Sequence, residues 1–187
     1  MRSARLLTIL AALLVAPLAG GGMPPASEPR AERMDAWRAS LAAADEARVE
    51  GRRDEAERLY VEVIDAAART GERNLLLARA LDGLADLCRL AGRYPEARTH
   101  YLESAAMLER MLGPGQPRLA TTLHNLAVVE WNLGEAQAAE THLARALAIW
   151  EASFGAGSPQ AENSRAVRSG LRARLADEKQ YEPAITE

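Results

Sequence analysis

The feature that most constrains this fold is an internal repeat, because long stretches of the chain match when shifted by 42 positions. The matches run through a whole unit and include apolar, small and polar residues. They are Ala78 with Ala120, Leu81 with Leu123, Leu84 with Leu126, Ala85 with Ala127, Ala97 with Ala139, His100 with His142, Glu109 with Glu151 and Gly113 with Gly155. An earlier copy lies 41 residues upstream, where Gly51 matches Gly92 and Tyr60 matches Tyr101. Such a period predicts stacked copies of one supersecondary unit.

Each unit contains two helical patterns joined by a glycine. In the third copy Leu123, Leu126 and Ala127 recur at the spacing of one apolar helix face, and Gly134 ends that helix. The apolar residues of the second pattern are Ala139, Leu143, Ala146, Leu147 and Trp150. The segments GPGQP (113–117) and GAGSP (155–159) separate one unit from the next. The pattern predicts antiparallel helix pairs whose alanines allow close packing.

These residues resemble the tetratricopeptide repeat family. The resemblance rests on the Leu-Ala pair of the first helix, the turn glycine and the small residue of the second helix. They are Leu84-Ala85 and Leu126-Ala127, then Gly92 and Gly134, then Ala56, Ala97 and Ala139. The long unit is most similar to the kinesin light chain type. The resemblance implies an all-α, right-handed superhelix of antiparallel helix pairs.

The repeats divide the chain into predicted segments. Three repeats occupy residues 31–159, although the first copy has Ala43-Ala44 in place of the Leu-Ala pair. Val167, Leu171 and Leu175 form a one-sided apolar stripe, which predicts a C-terminal capping helix over residues 160–179. Residues 180–187 are expected to be a loose tail.

The first thirty residues read as a targeting segment and a spacer. Arg2 and Arg5 precede an apolar run and small residues, which predicts a signal peptide over residues 1–22 and a periplasmic or secreted protein. The alternative is a membrane anchor through residues 6–22, which is at the short end of a bilayer span. Residues 23–30 are a Pro-rich spacer.

Family resemblance places the first helix of each pair on the concave side, where partners dock. The helical period then assigns a set of side chains to this groove. The candidates are Arg79, Asp82, Asp86, Arg89 and Leu90 in the second copy, Thr121, His124, Asn125, Val128, Trp131 and Asn132 in the third, and Arg38, Leu41, Asp45 and Arg48 in the first. Asn125 occupies the position where peptide-binding members commonly have asparagine. The alternative is that the charged residues form only a solvated face.

No catalytic, cofactor or metal site is predicted. His100 and His142 are repeat-equivalent and so lie about 10 Å apart in stacked repeats, too far to share an ion. Cys88 lies on the apolar side of its helix and is expected to be a buried small hydrophobe. The glycine-rich segments follow no strand, which excludes a phosphate loop. We therefore expect neither an enzyme nor a cofactor.

The predicted function is a non-catalytic scaffold that binds an extended peptide or a partner helix. The formal net charge of −3 argues against sequence-independent nucleic-acid binding. After cleavage of the signal, no membrane contact is expected. The alternative is a self-assembling or membrane-anchored structural subunit of an envelope complex, since weakly capped solenoids can stack end to end.

Overall fold

The computed structural model describes residues 23–181, and the proposed signal peptide and the residues after Tyr181 lie outside this range. The described chain forms seven helices without strands: α1 (Arg30–Val49), α2 (Arg53–Thr70), α3 (Leu75–Leu90), α4 (Tyr94–Leu112), α5 (Pro117–Asn132), α6 (Ala136–Phe154) and α7 (Pro159–Tyr181). Helices α1–α6 form three antiparallel pairs, and α7 follows them. Within residues 23–181, no helix is both long enough and apolar enough to cross a bilayer.

Glycines set the turn inside each pair. Gly51, Gly92 and Gly134 have φ angles of +79°, +75° and +79°. A Cβ atom at any of them would meet nothing within 4 Å, so the backbone conformation and not space requires glycine here. The next helices also begin at recognisable residues. Asn74 accepts hydrogen bonds from two backbone amides of α3, and Pro117 opens α5.

The predicted close crossings are present. Ala85 and Ala97, and likewise Ala127 and Ala139, are completely buried where the two helices of a pair meet. Gly83 marks a closer approach still, since a Cβ there would lie 2.3 Å from the ring of Tyr60. Small residues therefore fix how near the helices lie.

The pairs stack so that the first helices line one side. Helix α3 contacts both α1 and α5, whereas α2, α4 and α6 each pack on the helices before and after them in the chain. The side formed by α1, α3, α5 and α7 is therefore the inner, concave side. We call it the groove.

Helix α7 covers the last pair. Leu171 is buried, and Val167 and Leu175 are half-buried against Ala127 and Leu143. The other face of α7 is polar and exposed. The helix runs from Pro159 to Tyr181, slightly beyond the predicted limits of 160–179 at both ends.

Candidate functional site

The groove contains one side-chain cluster at each junction between consecutive units, and we number these junctions 1 to 3. In junction 1, the carboxylate of Asp45 accepts a hydrogen bond from the hydroxyl of Tyr60 and pairs with Arg79 of the next unit. Gly83 leaves the space that the Tyr60 ring occupies. This junction is closed by contacts within the chain.

Junction 2 repeats the arrangement 41 residues later. The carboxylate of Asp86 accepts a hydrogen bond from the Tyr101 hydroxyl and another from the Asn125 amide at 3.2 Å. The guanidinium of Arg89 lies 3.5 Å from the same carboxylate oxygen. Three predicted groove residues, Asp86, Arg89 and Asn125, therefore meet in one polar cluster.

The two tyrosines serve as hydrogen-bond donors at neutral pH. Burial, aided by Asp45, raises the pKa of Tyr60 to about 12. Burial and Asp86 raise the pKa of Tyr101 still further. Both phenols therefore keep their protons and donate to the aspartates, which makes them structural groups and not acids or bases.

Junction 3 has a different character, because apolar residues replace the polar cluster. Counting forward 42 residues, Val128 stands for Asp86, Leu143 for Tyr101, Trp131 for Arg89 and Val167 for Asn125. The result is a cavity of about 360 Å³, which we call the terminal pocket. It is lined by Ala127, Val128, Trp131, Leu143, Val167, Gly170, Leu171 and Arg174. The guanidinium carbon of Arg174 lies 4.6 Å from the centroid of the Trp131 ring.

Two predicted groove residues link one unit to the next. The Thr122 hydroxyl donates to the carboxylate of Asp82 at 3.1 Å, and Nδ1 of His124 lies 2.7 Å from the hydroxyl of Ser164. These pairs are equivalent, since His124 and Ser164 follow Asp82 and Thr122 by 42 residues. The carboxylate of Asp82 and Nδ1 of His124 are thus already paired within the chain.

For Leu41, the equivalent residue in the first copy, the prediction from the sequence is wrong. It was expected on the groove face, but it is completely buried. The helical period assigned it to that face because it takes no account of the neighbouring unit. Helices α2 and α3 both pack against α1, and Leu41 lies in the core that these helices share.

Burial changes the ionisation of both linking residues. It raises the pKa of Asp82 to about 6, although hydrogen bonds from Ser104 and Thr122 and the charge of Arg118 act to lower it. Burial also lowers the pKa of His124, and the positive charge of Arg89 adds to that effect. His124 is therefore neutral at pH 7.

The remaining candidates lie apart from the clusters. Arg79 closes junction 1, as described, and Thr121 is exposed with its hydroxyl 3.4 Å from the backbone oxygen of Pro117 in its own helix. Leu90 is exposed at the end of α3, and Asn132 donates to the Val128 backbone oxygen. The structure therefore brings some of the predicted groove residues together and leaves others apart. Of the predicted residues, Val128 and Trp131 line the terminal pocket.

Sequence reasoning missed the residues that α7 supplies to the terminal pocket. Val167 and Leu171 were identified only as a packing stripe, and Gly170 and Arg174 were not identified as groove residues. The signal was available: extending the 42-residue shift past Pro159 maps Asn125 onto Val167 and Val128 onto Gly170.

One buried pair has the residue types of acid–base chemistry. Glu130 is 1% exposed, and its carboxylate lies 2.7 Å from Nδ1 of His142. The equivalent positions of the second copy are Cys88 and His100, so the Glu130 carboxylate stands where the second copy has a buried thiol. Residues 23–181 contain no group of three His, Cys, Asp or Glu side chains placed to hold a metal ion.

Comparison with known proteins agrees with this geometry. Two family models described as tetratricopeptide repeat match residues 35–110 and 119–160. No curated protein sequence matches significantly. Among solved structures, the chain is similar to BtubC (BKLC) from P. vanneervenii, with a TM-score of 0.57 and 19% sequence identity over 81% of this chain and 67% of the other.

Proposed function

We propose that this chain, which belongs to the tetratricopeptide repeat family, is a non-catalytic scaffold of the bacterial envelope that holds a protein partner in its groove. The family, and the right-handed superhelix of helix pairs that the resemblance implied, are confirmed. Tetratricopeptide repeats mediate protein–protein interactions. The partner, its place in the groove and the export of the chain are our proposals.

The observation that carries the proposal is the terminal pocket. Junctions 1 and 2 are filled by hydrogen-bonded side chains, whereas junction 3 is an apolar cavity on the groove side. An apolar cavity of this kind in a groove suits the side chain of a partner. Trp131, a residue type enriched where partners bind most tightly, forms part of its wall.

The state of the polar groups favours a partner helix over an extended peptide. An extended peptide needs donors and acceptors for its main chain. Asn125, the residue best suited to that task, already donates to Asp86, and His124 is paired with Ser164. A helix satisfies its own main chain and needs only apolar contact from the groove.

Export is proposed from the N-terminal sequence alone. The positive start, apolar run and small residues of positions 1–22 fit a cleaved signal peptide, and anchoring through residues 6–22 is the alternative. Mass spectrometry of the protein from the periplasmic fraction and from the membrane fraction tests this. A first residue near Met23 supports cleavage, and an intact Met1 on protein confined to membranes contradicts it.

The groove itself is tested by affinity capture from envelope extracts, with wild-type protein compared with Trp131→Ala and Asn125→Ala. We expect Trp131→Ala to lose partners, because it removes a wall of the terminal pocket. A matched control is Leu102→Ala, which truncates an exposed apolar residue on α4, outside the groove. If both groove variants retain every partner of the wild type, the proposed groove is wrong.

Self-assembly is the alternative function that the sequence leaves open. The polar, exposed face of α7 is a poor stacking surface for another copy, so we expect a monomer. Light scattering over a range of protein concentrations distinguishes the two. A molar mass that rises with concentration would favour the self-assembling alternative.

A further inference from the structure

The terminal pocket differs from the two earlier junctions at four equivalent positions, and this difference indicates what it binds. Asp86, Tyr101, Arg89 and Asn125 hold one another in junction 2. Their counterparts in junction 3 are Val128, Leu143, Trp131 and Val167. Three of these four side chains, Val128, Leu143 and Val167, are aliphatic and cannot form hydrogen bonds, so the pocket suits an apolar group.

The pocket has room for one large side chain. Its volume of about 360 Å³ is close to the lower limit of about 300 Å³ for ligand pockets. Gly170, on its α7 wall, has a φ angle outside the left-handed region, and a Cβ atom there would meet nothing within 4 Å. Protein interiors are normally close-packed. An unfilled apolar space that opens on the groove can therefore receive a side chain of a partner.

Among the described residues that line this apolar space, Arg174 alone carries a charge. The other arginines of α7 form ion pairs: Arg165 with Glu151, and both Arg168 and Arg172 with Glu140. Arg174 instead stacks on Trp131, and its side chain is exposed. A carboxylate brought close to the pocket would therefore meet a guanidinium that already forms part of the wall.

We propose that the terminal pocket binds a leucine or phenylalanine side chain of an amphipathic partner helix, and that an aspartate or glutamate one helical turn away pairs with Arg174. The helical form follows from the mainly apolar lining of the pocket, which gives little to an extended main chain, and from the pairing of Asn125 with Asp86 and of His124 with Ser164. The acidic residue follows from the charge of Arg174. This inference rests on the proposed function and specifies its partner.

Defined helical peptides test the proposal with the purified protein. The probe is a 16-residue helix of alanine and glutamine with one central leucine and a free glutamate four residues later, closed by a lactam between an added lysine and a second glutamate on the opposite face. The bridge is needed because isolated helices of this length are marginal in water. Three controls replace the leucine by alanine, replace the glutamate by lysine, or break the helix with a central proline.

Binding is followed through the indole N–H resonance of Trp131 in a nuclear magnetic resonance titration. The chain has three tryptophans, and Trp131→Phe identifies the signal. We expect saturable shifts with the leucine peptide, about tenfold or greater loss of affinity without the leucine, and about twofold to fivefold loss with lysine. The proline-broken peptide should not bind.

Two variants locate the binding. Gly170→Leu fills the pocket from α7 and should abolish binding while the helical circular dichroism is retained. Arg174→Glu should weaken the glutamate peptide and restore affinity for the lysine peptide. Leu102→Ala, outside the groove, should leave every affinity unchanged.

The proposal is overturned if the leucine peptide does not shift Trp131, if the alanine peptide binds equally well, or if the proline-broken peptide binds better. The last result would identify an extended peptide as the occupant. Failure here is distinguishable from failure of the proposed function. Affinity capture from envelope extracts with Gly170→Leu and Asn125→Ala makes the distinction. If Gly170→Leu still captures the wild-type partners and Asn125→Ala does not, the groove binds its partner outside the terminal pocket. In that case only this inference is wrong.

Discussion

At the scale of single residues, position 83 shows how strictly the packing limits side-chain size. Gly83 lies against the Tyr60 ring, and the equivalent position in the third copy is Asn125. Tyr60 and Tyr101 both donate to an aspartate of their own unit. In junction 1 the Tyr60 ring fills the space beside position 83, whereas in junction 2 Asn125 occupies the equivalent position and itself donates to Asp86. Equivalent positions can therefore hold residues of different size within the same hydrogen-bonding arrangement.

We expect Gly83→Ala to lower the free energy of unfolding. The added methyl group would lie 2.3 Å from Tyr60, and overpacking of this kind costs about 1–3 kcal/mol. Urea unfolding followed by circular dichroism measures the change. Gly115→Ala is the matched control, since a Cβ there meets nothing within 4 Å. Equal stability of the two variants would show that the Tyr60 ring does not occupy this place.

Asp82 gives the chain a specific dependence of stability on pH. Burial raises its pKa in the folded state to about 6, above the value of about 3.9 in an unfolded chain. The folded state therefore binds the proton of Asp82 more tightly than the unfolded state does. The stabilisation that results is present at low pH and is lost as pH rises from about 4 to about 6. The shift corresponds to about 2–3 kcal/mol.

The variant Asp82→Asn should remove this loss, because the amide has no charge to desolvate and its oxygen can still accept from Thr122. We expect the variant to gain stability relative to wild type as pH rises from 4 to 7. Asp35→Asn, at an exposed site, should follow the wild-type profile. Urea midpoints at several pH values measure the difference. Parallel curves for Asp82→Asn and wild type would contradict the account.

At the scale of helices, two glycines with the same open surroundings should respond oppositely to alanine. Gly134 ends α5 with a φ angle of +79°, and Gly170 lies within α7 without a positive φ angle. A Cβ atom at either would meet nothing within 4 Å. The backbone conformation alone therefore decides whether alanine raises or lowers the stability.

We expect Gly134→Ala to destabilise the protein by about 1 kcal/mol and Gly170→Ala to stabilise it by about 0.5–1 kcal/mol. Thermal unfolding of both variants beside wild type provides the measurement. A shift of the same sign in both would mean that the turn at Gly134 or the helix at Gly170 is not as described.

The sequence was sufficient to predict the helices and their pairing, but not the contacts between units. The 42-residue shift and the turn glycines predicted the helix pairs, because both depend on local periodicity. The partners of Asp82 and His124, Thr122 and Ser164, lie 40 residues away and belong to the next unit. Leu41 was assigned to the groove for the same reason. A helical period shows which residues share a face, but it does not show what covers that face.

The terminal pocket could not be predicted from the sequence. Val128 and Trp131 were predicted for the groove from their positions on α5. That they border a cavity depends on Leu143 being shorter than the equivalent Tyr101 and on Gly170 lacking a side chain. Such a space appears only when the three helices α5, α6 and α7 are assembled.

At the scale of the whole molecule, ion pairs join the outer helices across unit boundaries, and one apolar core runs beneath them. Arg93 pairs with Glu57, and Arg145 with Glu109, each across one unit boundary. These pairs are partly exposed and contribute little individually. The apolar core instead runs through all three units and ends beneath α7.

Removal of α7 should therefore weaken the last unit most. Deleting residues 159–187 exposes Leu143 and Ala127, which α7 buries in the intact chain. We expect a lower unfolding midpoint and increased binding of a hydrophobic dye. Leu171→Asp, which places a charge at the same contact, should act in the same direction. An unchanged midpoint in both would show that α7 is not a cap.

The most direct test of the account is to ask on which side of the superhelix a partner lies. A photo-reactive benzoylphenylalanine is placed in living cells at Leu90, exposed on the groove side of α3, or at Leu102, exposed on α4. We predict that illumination yields a covalent complex with another protein from position 90 and not from position 102. A complex formed from position 102 alone, or equally from both positions, would contradict a partner held in the groove.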